Sequence, residues 1–150
     1  MPERGRAARR RGAHHRTSEA KKSLPPLVLI VDDDEDQREL MAEFVAREGF
    51  RVATASDGEE ALESIAQSEP AVVVMDLWMP RLDGWVTTQR LKADARTSAI
   101  PVVILSAHAL GEHKKRASEA GADAILAKPC PPAVLVARLR ELLAGSVAVE

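Results

Sequence analysis

In "LVLIVDDDEDQREL" (residues 27–40), five apolar residues run without a polar break into five consecutive acids. Strand side chains alternate between the two faces of a sheet, so a run that is apolar at every position belongs to a strand covered on both faces. After Val31 the pattern changes. Asp34, Glu35 and Asp36 suit the first turn of a helix, where each offsets the positive end of the helix dipole by ~0.3–1 kcal/mol. Asp32 and Asp33 stand before that turn, at the end of a buried strand. Two adjacent carboxylates repel each other there and together suit a cation.

The alternation of strand and helix continues along the chain. "AVVVM" (71–75), "PVVIL" (101–105) and "AILA" (124–127) are apolar throughout and read as strands covered on both faces. "RVATA" (51–55) alternates and belongs towards an edge. Leu40, Met41, Phe44 and Val45 form one helical stripe, and Ala61, Leu62 and Ile65 form another. Leu135, Leu139, Leu142 and Leu143 make a third, after Pro131 and Pro132, which suit a helix start. Gly49 and Gly121 fall where helices end and suit the left-handed conformation found there. Strand then helix, five times over, implies a doubly wound α/β fold: a parallel sheet with helices on both faces, because parallel neighbours need crossover connections. Every strand then points the same way, so residues just past their C-terminal ends gather along one edge, where open α/β sheets bind ligands.

The residues at that edge are Asp32 and Asp33, then Asp76, then Ser106, then Lys128. Core packing does not call for charged or hydroxyl groups at the ends of four apolar runs. Three carboxylates converging in a partly buried place are neutralised either by protons or by a cation. Lys128 supplies one positive charge, and an oxygen-rich, sulfur-free cluster favours a hard metal such as Mg²⁺. A carboxylate beside Mg²⁺ can attack phosphorus and form an acyl phosphate, with a hydroxyl and an ammonium holding the remaining phosphoryl oxygens. Ser106 and Lys128 have the chemistry for those two roles.

Together these segments resemble the receiver domain of two-component response regulators, over about residues 27–144. "VDDDEDQREL" (31–40) is similar to that family's acidic-pair segment, and "VVVMDLWMPRLDGW" (72–85) to its phosphoacceptor strand and following loop. "IPVVILSAHA" (100–109) resembles the hydroxyl-bearing strand, and "GADAILAKPCPP" (121–132) the Lys-Pro segment. The resemblance implies a flavodoxin-like, five-stranded sheet and a chemotaxis-type, single-domain regulator that signals rather than acts as an enzyme on separate substrates. It implies that Asp76 accepts the phosphoryl group from a histidine kinase or histidine phosphotransfer protein. Mg²⁺ would be held by Asp33, Asp76 and the backbone carbonyl of Trp78, with Asp32 acting through water. Ser106 and Lys128 would bind phosphoryl oxygens, Ala107 would leave access, and Lys128–Pro129 would be cis. Met79-Pro80 and Asp83-Gly84 would shape the loop into the next helix. Trp78 and His108 would flank Asp76, and an indole there would obstruct an attacking water, implying slow self-dephosphorylation. The family's aromatic switch position is Ile125 here, so the usual coupling of hydroxyl to aromatic ring cannot operate in its ordinary form. Cys130 stands where a phenylalanine often follows the Lys-Pro pair.

Bulk properties narrow the setting. The 150 residues suffice for one domain with a full core. The net charge of −2 makes no general case for nucleic acid or membrane. That average hides a basic segment, residues 1–26, with Arg4, Arg6, Arg9, Arg10, Arg11, Arg16, Lys21 and Lys22. It has too little apolar surface to offset its ordering entropy and is expected to be disordered. An electrostatic arm for nucleic acid is the alternative role for it, and a transit peptide is a weaker one. Residues 145–150 read as a short tail, too short for an output domain, so output is expected through a separate protein partner. A lone cysteine, Cys130, and the absence of any apolar run near the ~20 residues that span a bilayer lead to the expectation of a cytoplasmic protein. A phosphatase with an aspartyl nucleophile would carry a second Asp two residues after the first, and Trp78 occupies that position.

Overall fold

The computed structural model describes residues 24–79, 82–107 and 111–148. The basic arm up to Ser23, Pro80, His108 and the last two residues lie outside the described residues. Ten elements alternate along the chain: β1 (Leu27–Val31), α1 (Glu35–Arg47), β2 (Arg51–Ala55), α2 (Gly58–Ser68), β3 (Val72–Asp76), α3 (Gly84–Ala93), β4 (Val102–Ser106), α4 (Glu112–Ala120), β5 (Ala124–Ala127) and α5 (Pro132–Ala148). All four strand pairings are parallel, in the order β2-β1-β3-β4-β5. The chain leaves β1 outward to β2 and returns on its other side to β3, a reversal that opens a crevice at the strands' C-terminal ends. This is the flavodoxin-like order expected from the sequence.

The apolar strand runs divide between two cores by the period of two. Val28 and Ile30 of β1 join Val72, Val74, Val103 and Leu105 beneath α1 and α5, where Val45, Leu135 and Leu139 are buried. Leu29 and Val31 join Val73, Met75 and Ile104 on the opposite face, under Ala61 and Ile65 of α2, Trp85 and Leu91 of α3, and Ala117 of α4. Each large apolar side chain so covered contributes roughly 1.5–3 kcal/mol relative to exposure.

Helix starts follow from local chemistry. Asp34, Asp57 and Asp83 are N-caps, and their carboxylates accept from the backbone N–H groups of Gln37 (3.1 Å), Glu60 (2.8 Å) and Val86 (3.0 Å). Gly49 and Gly121 both take φ of 98°, the left-handed turn expected of them after α1 and α4. No helix among the described residues is long and apolar enough to cross a membrane.

Two expectations need correction. "AILA" was expected to be covered on both faces, but β5 is an edge strand, half-buried at Ala124 to Leu126 and exposed at Ala127, because only β4 pairs with it. Leu40 was expected in the covered stripe of α1, yet it is 67% exposed. It forms part of the wall of an open cavity of about 510 Å³ shared with Met41, Leu105, Lys128 and Cys130. The last helix, α5, runs on to Ala148.

Candidate functional site

Strand register decides which side chains meet at the C-terminal edge of the sheet. Asp76 ends β3 and is level with Leu105, so Ser106 follows one position beyond on β4; Ser106 in turn is level with Ala127, placing Lys128 just past it. Backbone bonds extend this alignment past the strands. Leu77 N–H donates to the Leu105 carbonyl at 3.1 Å, Lys128 N–H to the Ser106 carbonyl at 2.8 Å, and Asp32 N–H to the Ala55 carbonyl at 3.1 Å. The Lys128–Pro129 peptide is cis.

Within this frame the acids converge. Asp32 and Asp76 are buried and Asp33 is exposed, and one carboxylate oxygen from each lies within 4.8 Å of the others. Lys128 Nζ sits 3.1 Å from Asp76 Oδ1 and 3.5 Å from Asp32 Oδ2. Asp32 is oriented from its own backbone side, since its Oδ1 accepts the Asp34 N–H at 2.9 Å. Burial pushes the Asp76 carboxyl above its ordinary value; Lys128 opposes this through its hydrogen bond and charge, while Asp32 and Asp33 add to the rise. For Lys128, burial works against the ammonium, but the hydrogen bonds and charges of Asp76 and Asp32 outweigh it and raise its pKa. The two partners thus shift in the same direction. Asp76 and Asp32 share one ammonium with Asp33 nearby, so the lysine is held charged while Asp76 remains under-compensated.

The donor set suits a hard divalent cation: three carboxylates, no sulfur or imidazole, and one member open to solvent to admit an ion with its waters. Ser106 is fully buried, and Ala107 next to it is exposed. Ile125, at the position where an aromatic would be expected, is half-buried against the core beneath α2, α3 and α4. Trp78 is 56% exposed. Tight loop geometry keeps the segment after Asp76 close. Gly84 N–H donates to the Leu77 carbonyl at 2.9 Å, and a side chain at Gly84 would stand 2.7 Å from the Asp76 carbonyl oxygen.

A family profile described as the response regulator receiver domain matches residues 28–140. The chain belongs to that family. Among curated relatives of this receiver domain, a probable transcriptional regulator, ycf27, of Guillardia theta is 42% identical over 108 residues, covering 71% of this chain and 41% of the relative. The transcriptional regulatory protein PrrA of Mycobacterium tuberculosis is 44% identical over 95 residues, covering 63% of this chain and 40% of its own length. The chain therefore spans less than half the length of these relatives. Among solved structures, a putative response regulator from Chloroflexus aurantiacus is 35% identical, with a TM-score of 0.76, covering 80% of this chain and 98% of that one. The chemotaxis response regulator CheY4 of Vibrio cholerae is 27% identical, with a TM-score of 0.75, covering 79% and 98%.

In this receiver domain the structure brings Asp32, Asp33, Asp76 and Lys128 together and sets Ser106 on the neighbouring strand end. Three further residues at the site were not singled out from the sequence. Gln37 Oε1 accepts from Lys128 Nζ at 3.3 Å, and Arg38 Nη1 donates to the Asp32 carbonyl at 2.8 Å. Both lie in the first turns of α1, whose start the acids Asp34 to Asp36 made legible, so their nearness to the acids was the available signal. His113 of α4 packs its ring 6.1 Å from that of Trp78. No local pattern points to that contact.

Proposed function

We propose that Asp76 is the phosphoacceptor of this receiver domain and that its charge state is the signal. The observation carrying this reading is the buried Asp76 carboxylate at the end of β3, 3.1 Å from Lys128 Nζ and within 4.8 Å of the carboxylates of Asp32 and Asp33. Three converging carboxylates with a single lysine leave negative charge that a bound cation would offset.

In the reaction, an Asp76 carboxylate oxygen attacks the phosphorus of a phosphohistidine on a histidine kinase or phosphotransfer protein. An O–P bond forms, the N–P bond breaks, and the imidazole leaves with the electron pair. The Ser106 hydroxyl donates to one phosphoryl oxygen, Lys128 pairs with another, and the small Ala107 leaves room for the group. Asp33, Asp76 and the Trp78 carbonyl would hold Mg²⁺, with Asp32 acting through a water. Bound there, the ion supplies positive charge to the phosphoryl oxygens. Hydrolysis of the acyl phosphate by water resets the switch without another enzyme, and the Trp78 indole, with His108, slows it.

Phosphorylation exchanges the Lys128–Asp76 ion pair for one to the phosphoryl group and thereby biases an existing equilibrium of surface conformations read by a protein partner. With Ile125 in place of an aromatic, this bias travels through the loop at Ser106. Residues 27–144 form the signalling unit, and the protein acts in the cytoplasm. Incubation with a small phosphodonor and Mg²⁺, followed by intact-mass measurement, tests the reading. Wild type gains a single acid-stable, hydroxylamine-sensitive phosphoryl group and Asp76→Asn gains none; equal labelling of the variant would place the acceptor elsewhere.

A further inference from the structure

Helix α4 is attached to the domain by little apolar surface. Its buried residues are the small Ala117 and Ala120, and Gly111 ahead of it provides no side-chain cap. His113, in its first turn, makes a different attachment. The imidazole lies 6.1 Å from the Trp78 ring at an interplanar angle of 60° and 5.9 Å from the Trp85 ring at 55°. Both are edge-on or tilted arrangements at spacings that aromatic rings prefer.

The two indoles differ in freedom. Trp85 is 1% exposed in the core, and the Arg116 guanidinium lies 4.9 Å from the centre of its ring. Trp78 is 56% exposed in the loop two residues after Asp76, and an indole so open to water keeps one orientation only where a neighbour holds it. The Trp78–His113 contact joins the loop after β3 to the helix after β4. Those two strands carry Asp76 and Ser106 at their ends, so the contact links the segments that leave both site strands.

We infer that His113 is a positioning residue: braced against the fixed Trp85, it holds the Trp78 indole across the mouth of the phosphoacceptor site and so limits water's access to the acyl phosphate. In the step it restrains, a water oxygen bonds to phosphorus, the Asp76 O–P bond breaks, and the water proton leaves with the inorganic phosphate or to solvent. This inference rests on Asp76 being the acceptor.

The test compares wild type with His113→Ala, His113→Phe, Trp78→Ala and the His113→Ala/Trp78→Ala pair. Each is phosphorylated with a small phosphodonor and Mg²⁺, freed of donor, and followed by intact mass as the acyl phosphate decays. Iodide quenching is measured in parallel; with two tryptophans in the chain and Trp85 buried, it reads Trp78. His113→Ala is expected to shorten the lifetime about fivefold and to increase quenching, while His113→Phe, which keeps a ring, returns both to within about twofold of wild type. Trp78→Ala shortens the lifetime similarly, and adding His113→Ala to it shortens it no further, the non-additivity of residues acting through one contact. Should His113→Ala fail to fold, His113→Leu set against His113→Phe makes the same comparison. Unchanged lifetime in a normally phosphorylated His113→Ala, or independent effects of the two substitutions, overturns the inference alone. A wild type that takes up no phosphoryl group overturns the acceptor assignment and this inference with it.

Discussion

Lys128 Nζ stands 3.1 Å from Asp76 Oδ1, a link between residues at the ends of β5 and β3, two strands separated by β4. The same ammonium reaches Asp32 Oδ2 at 3.5 Å, so a single lysine compensates carboxylates from two strands. Lys128→Met keeps most of the stem and removes the charge. It is expected to destabilise the metal-free domain by roughly 1–3 kcal/mol, below the figure for a fully buried pair because the site opens to solvent. Mg²⁺ should restore more of the loss in the variant than it adds to wild type, since a cation then replaces the missing charge. Thermal unfolding in chelator and in Mg²⁺ measures both; equal stabilisation of the two proteins by the ion would contradict the electrostatic account.

Burial, opposed by Lys128 and reinforced by Asp32 and Asp33, holds the Asp76 carboxyl above its ordinary 3.8 in the folded chain. A carboxyl raised in this way favours the native state while protonated, fully so below 3.8, and that contribution disappears as the pH rises through the folded value. Ionised Asp76 therefore costs stability near neutral pH. Asp76→Asn should raise the Tm by a few degrees at pH 7 in chelator. The gain should shrink on acidification and be smallest below the unfolded pKa. A gain that does not change with pH would assign the effect to packing rather than charge.

Trp78 gives the site an optical reporter. Its exposed indole follows Asp76 by two residues, whereas Trp85 is 1% exposed in the core. Titration with Mg²⁺ should therefore change tryptophan emission, and Asp33→Asn, which removes the open member of the acidic trio, should weaken the apparent affinity by at least ~10-fold. An Asp33→Asn protein that titrates like wild type would remove Asp33 from the cation site.

Gly84 controls the shape of the acceptor loop through lack of a side chain. A Cβ there would meet the Asp76 carbonyl oxygen at 2.7 Å and Leu77 Cα at 3.0 Å, both backbone atoms that cannot move aside independently. Gly84→Ala is expected to cost roughly 1–3 kcal/mol, the usual range for forced overpacking, and to slow phosphorylation by displacing Asp76. Denaturant unfolding and the labelling assay report the two effects separately. Normal stability together with normal labelling would show that the loop can relax around the methyl group.

Much of the site was readable before any fold was known because its chemistry sits at strand ends. Asp32, Asp33, Asp76, Ser106 and Lys128 each interrupt an apolar run, and a parallel sheet necessarily gathers such positions on one edge. The caps at Asp34, Asp57 and Asp83 were equally local, and Asp34 and Asp83 lie in stretches whose acids drew attention, whereas Asp57 does not. Gln37, Arg38 and His113 were missed because their roles depend on which residues lie across from them, and Leu40 was misplaced for the same reason. An apolar residue at helical spacing carries no record of whether the surface opposite it is a neighbour or an open cavity.

The amino-acid sequence alone determined the alternation of five strands and five helices, the parallel sheet that follows from it, and the kinds of residue at its functional edge, because these are written in periodicity and in the residue after each run. Tertiary structure alone decided that β5 lies at an edge despite its apolar run, that one lysine spans Asp76 and Asp32, and that His113 lies between two indoles. Those outcomes depend on the lateral order of strands and on how helices settle against them. They bring together residues as far apart as Asp32 and Lys128, whose contact no local preference can encode.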